Sequence, residues 1–467
     1  MIYIFKFILL LFFINLGHSS GKCSLNNVEF RSRPSTDTYA LSPSGHFRIH
    51  YDLDGSNAPD ISDLNNNNIP DYIDEVGLIA DSSRYVLVDI MNFLPEIPDS
   101  DEFYDIYVQD RPSGYYGVNF QDDNIDGASY IIIDNAYEPG QFLTSGINTM
   151  RLTVAHEFFH AIQRAYRTAP SPGDVYFWEM SSTWIEDVIV PDGDDYLFWV
   201  DQFFNNPEQD ISETDGYSIA LFGHYLSHSF DSEIPGSFIK DVWEKYSEVN
   251  NAFYSIDYIL TENYNADFSN AWLDFNSRNL FNGIYNQPSN DFYFYPDQQY
   301  LGPISTSINF LNQNSEVDLI FSEESAAFKT FYVNDMCSIN LQNSIIPSNS
   351  SYNGKIISVS ENSDLNFIKE TSDSIYIFNS GTYIHLAYSG YNNSIITANI
   401  DFNDDLTPIY GDLNLDQEVN VMDVVIMVEL IFNNISLNDF QLYCADVNLD
   451  NYWNIFDIIM IVDIIMN

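Results

Sequence analysis

Residues 154–163 are Val154-Ala155-His156-Glu157-Phe158-Phe159-His160-Ala161-Ile162-Gln163. The apolar background predicts a helix, in which two histidines four positions apart lie one turn apart on a single face. Both imidazoles can then bind one metal ion, and Glu157 can accept a proton from water activated by that ion. The alternative is that both histidines are ordinary residues of a buried helix.

A third metal ligand is predicted on the following helix. Catalytic zinc takes three protein ligands and keeps a fourth position open. The amphipathic segment 175–190 contains Glu179, which follows His160 after a gap of eighteen residues. We therefore expect His156, His160 and Glu179 to bind zinc, with Glu157 as the general base.

The motif and its spacing resemble the gluzincins, a class of zinc metallopeptidases. The resemblance is carried by His156-Glu157-x-x-His160, by Glu179 and by a second acid at Glu186. Residues 154–163, the loop containing Ile69-Pro70-Asp71-Tyr72 and the segment 130–135 are similar to a family of secreted bacterial metalloproteases. This similarity covers about 47–283 and implies a thermolysin-like domain, a small sheet plus a helical subdomain, that acts on proteins or peptides.

The resemblance also implies supporting residues. A tyrosine or histidine of a downstream helix stabilises the oxyanion in this class, and Tyr217 is the first candidate and His224 the second. Glu186 and Asp187 are expected to orient a histidine ligand. The alternative for Tyr217 and His224 is ordinary packing.

An upstream Gly-x-Met-Glu-Asn motif, which aminopeptidases of this class carry, is missing from the sequence. Its absence favours an endopeptidase over an exopeptidase. A competing hypothesis is a non-catalytic, calcium-dependent cell-surface or scaffold-docking protein in which the metal helix is vestigial.

The C-terminal segment 409–467 contains an internal repeat. Each copy places oxygen side chains at positions one, three, five, nine and twelve of a loop that precedes an apolar helix, which is the ligand spacing of a calcium loop. The two sets are Asp412, Asn414, Asp416, Asn420, Asp423 and Asp446, Asn448, Asp450, Asn454, Asp457. The repeat resembles a type I dockerin, which implies calcium and a cohesin-like or cell-surface docking partner. The alternative is a calcium-bound cap without a partner.

A similar oxygen-rich loop occurs near the N-terminus. Its candidate calcium ligands are Asp63, Asn65, Asn67, Asp71 and Asp74. The spacing again suits calcium, with a backbone carbonyl available at Ile69. The alternative is a solvated, Asn-rich turn.

Composition limits the function classes. The chain of 467 residues has 68 acidic and 16 basic residues, a formal charge of −52, which argues against nucleic acid and anionic membranes as partners. Residues 1–20 have the pattern of a signal peptide, so we expect a secreted protein without a membrane span. The three cysteines, Cys23, Cys337 and Cys444, lie too far apart to indicate a disulfide framework.

The expected fold class is α+β. We expect a signal peptide at 1–20, a metallopeptidase domain at 21–286, an all-β sandwich at 287–405 and a small α-helical calcium module at 409–467. The sandwich is predicted from short β-branched and aromatic runs separated by Ser, Asn and Gly. Helices are predicted over 70–93, 149–166, 175–190, 214–230, 236–248, 267–281, 423–432 and 457–466.

Overall fold

The computed structural model describes an α+β chain over residues 33–112, 114–122, 124–282, 295–361, 365–371, 374–404, 409–432, 434–435, 437, 439–450 and 452–466. The described residues fall into two compact units. One contains 33–203, Ile211–Asn265 and 295–297. The other contains Phe204–Asp210, 266–282 and the described residues from 298 onward. The expected signal peptide lies outside the described residues.

The first unit has a five-stranded sheet. Its strands are β1 Thr38–Leu41, β2 Phe47–Tyr51, β3 Tyr104–Val108, β4 Gly117–Gln121 and β5 Ser129–Ile133. The strand order is β1-β2-β3-β5-β4. β2, β3 and β5 run parallel, and the outer strands β1 and β4 pair antiparallel to their neighbours.

Seven α-helices are described in this unit, and the last residue of one of them, Phe204, belongs to the other unit. They are α1 Asp71–Arg84, α2 Ile147–Tyr166, α3 Val175–Ile189, α4 Leu197–Phe204, α5 Ala220–Phe230, α6 Ser237–Val249 and α7 Ala252–Tyr264. A π-helical turn, Tyr85–Ile90, extends α1, and a 3-10 turn, Tyr217–Ile219, precedes α5. Asn251 caps α7, because its side chain accepts a hydrogen bond from the Tyr254 amide.

α2 is the central helix of the first unit. It is buried along most of its length, since it packs against α1, α3, α6 and the strands β4 and β5. Phe158 meets Phe47 and Tyr104 edge to face, with ring centroids 5.1 and 5.5 Å apart. This packing fixes the helix on the sheet, so that its other side faces α3.

Several predicted helix boundaries are corrected by the structure. The helix predicted over 214–230 begins only at Ala220, because Gly216 and the 3-10 turn interrupt it. The helix predicted over 70–93 is α-helical only from Asp71 to Arg84. α4 and α7 were not predicted, since their short apolar stretches lack a clear periodic boundary.

The second unit contains two further sheets. Their strands are β6 Ile308–Phe310, β7 Ser315–Phe321, β8 Ala326–Val333, β9 Cys337–Ile346, β10 Tyr352–Ser360, β11 Leu365–Glu370, β12 Ser374–Phe378, β13 Thr382–Gly390 and β14 Ser394–Asn403. The strand orders are β11-β10-β13-β8-β6 and β12-β9-β14-β7. The pairs are antiparallel, except that β6 runs parallel to β8. Apolar residues from both sheets form one buried cluster, which includes Phe331, Ile339, Leu386 and Ile400.

The helix α8, Phe268–Asn279, belongs to this second unit and packs against β8, β10 and β13. The Ser269 and Ser389 hydroxyl groups are 2.8 Å apart, and Lys355 Nζ lies 2.7 Å from Asp274 Oδ1. These contacts tie the helix to β13 and β10.

The C-terminal segment forms three helices, α9 Val421–Ile431, α10 Asp439–Ala445 and α11 Ile455–Met466. A small apolar cluster, including Leu413, Met427 and Ile461, joins the repeated units. Many apolar side chains of α9 and α11 remain exposed, among them Val421, Met422, Phe456, Ile459 and Met466. Within the described part of the chain, no helix has the length and apolar character needed to cross a membrane. The thiols of Cys337 and Cys444 are free and buried.

Candidate metal centre

Three predicted ligands meet between α2 and α3. His156 and His160 lie on the face of α2 that packs against α3, and Glu179 lies on α3. All three side chains are buried, and their ligand atoms lie within 4.8 Å of one another. The structure therefore brings together the three residues that the sequence selected.

The distances between the ligand atoms suit one small ion. His156 Nε2 lies 3.1 Å from His160 Nε2 and 3.2 Å from Glu179 Oε2, and His160 Nε2 lies 3.7 Å from that oxygen. Two ligands of tetrahedral zinc, each bonded at about 2.0–2.1 Å, are separated by about 3.3 Å. The three atoms are thus close enough together to bind one metal ion.

The outer nitrogens of both imidazoles have acceptors that fix the ring orientation. His156 Nδ1 lies 2.6 Å from Glu186 Oε1, and His160 Nδ1 lies 2.7 Å from Gln163 Oε1. Because both oxygens accept, Nδ1 donates in each ring, and Nε2 is the nitrogen that faces Glu179. Each ring is therefore oriented to bind a metal through Nε2 once that nitrogen carries no proton.

Gln163 was not predicted to have a role at the site. Its amide nitrogen donates to the Trp178 carbonyl and to the Ser182 hydroxyl, each at 2.9 Å, so its oxygen is directed at His160. The position was visible in the sequence, because residues three apart face each other on a helix.

The pKa values of His156 and Glu179 are shifted by the charged groups that surround them. Burial alone would lower the pKa of His156, but hydrogen bonds with Glu179 and Glu186 and the charges of both raise it to about 10. Burial alone would raise the pKa of Glu179, whereas hydrogen bonds with His156 and His160 lower it to about 2. Without a metal, a proton on His156 balances the carboxylate charge. A divalent cation would replace that proton.

Glu157 is buried between α2 and the outer strand β4. A Cβ atom added to Gly117 would lie 2.8 Å from Glu157 Cγ and 2.6 Å from Thr153 Cγ2. The backbone carbonyl of Glu157 accepts a hydrogen bond from Asn119 at 3.1 Å. Gly117 therefore provides the space that the Glu157 side chain occupies against β4.

The two predicted oxyanion donors lie in different surroundings. The Tyr217 ring stacks on His156, with centroids 5.8 Å apart and planes inclined by 13°. His224 Nε2 instead lies 3.4 Å from Asp187 Oδ2, and its ring lies near those of Tyr196 and Tyr295. Tyr217 is therefore the candidate in contact with a metal-ligand residue.

The two acids predicted to orient a histidine ligand also contact different residues. Glu186 contacts the ligand His156, whereas Asp187 contacts His224. Asp187 further belongs to a second group of potential metal ligands, with Asp194 and Asp297, whose carboxylate oxygens lie within 4.8 Å of one another. Sequence reasoning missed this group because Asp297 is more than a hundred positions away from its partners.

The three oxygen-rich loops share one hydrogen-bond pattern. The first acid accepts the backbone amides four and five positions later, as Asp63 does from Asn67 and Asn68 and Asp412 does from Asp416 and Gln417. In the second tail loop, Asp446 accepts the Asp450 amide. In all three loops the residue at position four has a positive φ: 59° at Asn66, 61° at Leu415 and 59° at Leu449.

The last acids of the tail loops also match. Asp423 accepts amides from Leu413, Asn414 and Asn420, and Asp457 accepts the equivalent amides of Val447, Asn448 and Asn454. In the N-terminal loop Asp71 accepts from Leu64, while Asn65 and Asn67 donate to Asp74. The candidate ligands therefore line three loops of common backbone form.

Comparison with known proteins adds little to this geometry. No protein-family model matches the sequence. No curated protein matches it significantly. Among solved structures, the chain is similar to the crystal structure of Legionella pneumophila aminopeptidase A in complex with aspartic acid, with a TM-score of 0.31 and 11% identity. The match covers 87% of this chain and 44% of that one, so this chain spans less than half of its length.

Proposed function

We propose that this chain is a zinc-dependent peptide hydrolase. The proposal rests on one observation: two imidazole nitrogens and one carboxylate oxygen lie close together in a buried site. Their spacing suits the ligands of a tetrahedral zinc ion. Three protein ligands leave one position open, which distinguishes a catalytic zinc site from a closed structural one. Zinc would supply Lewis-acid chemistry, which polarises a carbonyl and activates water.

The residues of the chain have separate roles in this mechanism. Glu157 accepts the proton of the attacking water and passes it to the leaving amine. Tyr217, rather than His224, donates to the oxyanion, because its ring lies against His156. Glu186 and Gln163 hold the two ligand rings.

The first experiment tests the general base. Glu157→Gln should retain zinc while proteolysis of casein falls by about 10²-fold or more, because the amide cannot accept the proton. Zinc content is measured together with casein cleavage on the full chain. A variant that cleaves casein at the wild-type rate would contradict the mechanism.

The matched variant in this experiment is Glu179→Ala. It removes a proposed ligand instead of the base, so zinc and activity should be lost together. Unchanged zinc affinity would show that Glu179 is not a ligand. Purified wild-type chain with almost no zinc would favour the alternative, a non-catalytic surface or scaffold-docking protein.

We further infer endopeptidase activity from the missing exopeptidase motif. An endopeptidase should cleave internal bonds of a peptide whose N-terminus is acetylated. Cleavage restricted to peptides with a free amine would identify an exopeptidase instead. Secretion is inferred from residues 1–20, and it would be tested by finding the mature chain in culture medium.

The oxygen-rich loops support a second proposal, that the chain binds calcium and uses its C-terminal module for docking. The shared loop form and the carboxylates inside it favour calcium. The exposed apolar faces of α9 and α11 offer a surface to a cohesin-like partner.

Calcium binding by the module predicts a specific thermal response. Calcium should raise the melting temperature of the chain, because a ligand that binds only the folded state stabilises it. Asp457→Ala should reduce the rise, since Asp457 receives three backbone amides of its loop. The exposed Asp463→Ala serves as the control on the same helix. An equal calcium response in both variants would contradict the proposal for this loop.

A further inference from the structure

The buried carboxylate group beside α3 lacks an evident counter-charge. Asp187 lies on α3, Asp194 follows in the next loop and Asp297 approaches from a distant segment of the same unit. Asp187 and Asp297 are only 6% and 8% exposed. Among the described residues, no lysine or arginine forms an ion pair with any of the three. Three acids at this spacing repel one another strongly in a buried site.

The second observation is an imidazole directed into the group. The His224 side chain is nine-tenths buried, and its Nε2 lies 3.4 Å from Asp187 Oδ2. That nitrogen has no hydrogen-bond partner within the described chain. A buried polar nitrogen without a partner is costly, so its presence beside three acids points to a bound group.

The carboxylates themselves present free ligand atoms. Asp187 Oδ1 and Asp194 Oδ1 are buried and make no hydrogen bond in the described structure. Asp297 is held in place by the Tyr196 hydroxyl, which donates to its Oδ2 at 2.8 Å. The group thus combines one carboxylate held by a hydrogen bond, Asp297, with two carboxylate oxygens, on Asp187 and Asp194, that accept no hydrogen bond from the described residues.

We propose that Asp187, Asp194, Asp297 and His224 hold a second divalent cation, separate from the His156, His160 and Glu179 site. A cation would satisfy the unpartnered oxygens and nitrogen and would cancel most of the repulsion. Three carboxylates and one imidazole form a mixed oxygen and nitrogen set, which suits a first-row ion such as Mn²⁺ better than an all-oxygen calcium site.

The ionisation of the residues is consistent with such a site. Burial, followed by the charges of Asp297 and Asp194, raises the pKa of Asp187 to about 8 in the absence of a cation. Burial lowers the pKa of His224 to about 4. Asp195 and Glu186 add further negative charge nearby.

The cation would have a structural consequence for the first unit. It would join the end of α3 to the loop before α4, to α5 through His224 and to the segment containing Asp297. Glu186, the neighbour of Asp187, orients His156, so the second ion would hold the α3 turn from which Glu186 extends. We infer a supporting role for this ion.

Manganese binding tests the proposal without relying on enzyme activity. The full-length His160→Ala variant, which weakens the first site, is stripped of metal and supplied with excess calcium to fill the loops. Mn²⁺ is then added, and the free ion is measured by electron paramagnetic resonance. We expect the His160→Ala variant to bind one Mn²⁺. When Asp194→Asn is introduced into this variant, the affinity for Mn²⁺ should fall about tenfold or more.

Two matched variants sharpen this result. Asp192→Asn removes an exposed acid of the same loop, two positions from Asp194, and should leave Mn²⁺ binding unchanged. His224→Gln should weaken binding and change the spectrum of bound Mn²⁺, because it removes the nitrogen ligand. Circular dichroism confirms that each variant is folded. The absence of Mn²⁺ binding in the His160→Ala background, or equal binding after Asp194→Asn, would overturn the proposal.

Discussion

At the scale of single residues, the two ligand histidines are held by chemically different acceptors. His156 donates to the carboxylate of Glu186, whereas His160 donates to the neutral amide oxygen of Gln163. A carboxylate increases the basicity of the ring more than an amide does. His156 is therefore expected to be the stronger zinc ligand of the two.

This difference predicts the effect of Glu186→Gln. The amide oxygen can still accept the Nδ1 proton, but the negative charge is lost, so zinc affinity should fall about 10–100-fold. Zinc affinity is measured by competition with a chelating dye. Glu262→Gln, at an exposed position of α7, is the control. If both variants bind zinc as the wild type does, Glu186 does not support the ligand.

At the scale of elements, the turn before α5 approaches α3 very closely. Gly216 has φ of 85°, and a Cβ atom added there would lie 2.5 Å from the Tyr176 carbonyl oxygen and 2.6 Å from Glu179 Cβ. Only glycine permits both this backbone conformation and this contact. The turn also places Tyr217 next to His156.

The contact predicts that Gly216→Ala damages the metal site. The backbone conformation alone should cost about 1–3 kcal/mol in the free energy of unfolding. The clash should in addition displace Glu179 and lower zinc affinity. Gly146→Ala is a matched control, because Gly146 has φ of 83° but nothing within 4 Å of an added Cβ. Both variants should lose stability in urea unfolding, and only Gly216→Ala should lose zinc. Equal zinc affinity in the two variants would contradict this.

Part of the candidate site was selected from local spacing in the sequence. Helical periodicity places His156 and His160 on one face, whereas Glu179 was selected because a catalytic zinc site would need a third protein ligand. The Asp187, Asp194 and Asp297 group could not be predicted, because it depends on contacts between distant segments. Glu186 and Asp187 contact different histidines, because adjacent helical residues point about 100° apart.

At the scale of the whole molecule, charge is the dominant feature. A formal charge of −52 gives a self-repelling surface, which destabilises a compact chain more than an expanded one. Dissolved salt screens this repulsion, with a Debye length that falls from about 10 Å at 0.1 M to about 3 Å at 1 M.

The free energy of unfolding should therefore rise when NaCl is increased from about 0.1 to 1 M. The urea midpoint is measured with calcium held at saturation, so that changes in calcium binding do not contribute. A potassium chloride series controls for an effect specific to sodium. A midpoint that stays constant or falls would show that surface repulsion does not limit stability.

The sequence also indicated how the secondary-structure composition changes along the chain. Mixed α and β elements come first, strands follow, and short apolar helices come last. It could not show that α8 packs against β8, β10 and β13, because helix periodicity identifies an apolar face but not its partner. Ser269 and Lys355, which join α8 to strands of its unit, carry no such signal in their local sequence.

The three oxygen-rich loops have a practical consequence for inhibitor studies. With the proposed calcium and zinc bound, a chelator that takes every divalent ion would strip the loops together with the histidine site. A loss of the proposed activity could then follow from unfolding of a loop as well as from removal of zinc. A nitrogen-donor chelator, which prefers zinc to calcium, would leave calcium in the loops. Inactivation by that reagent in calcium-rich buffer, reversed by zinc, would therefore assign the activity to His156, His160 and Glu179.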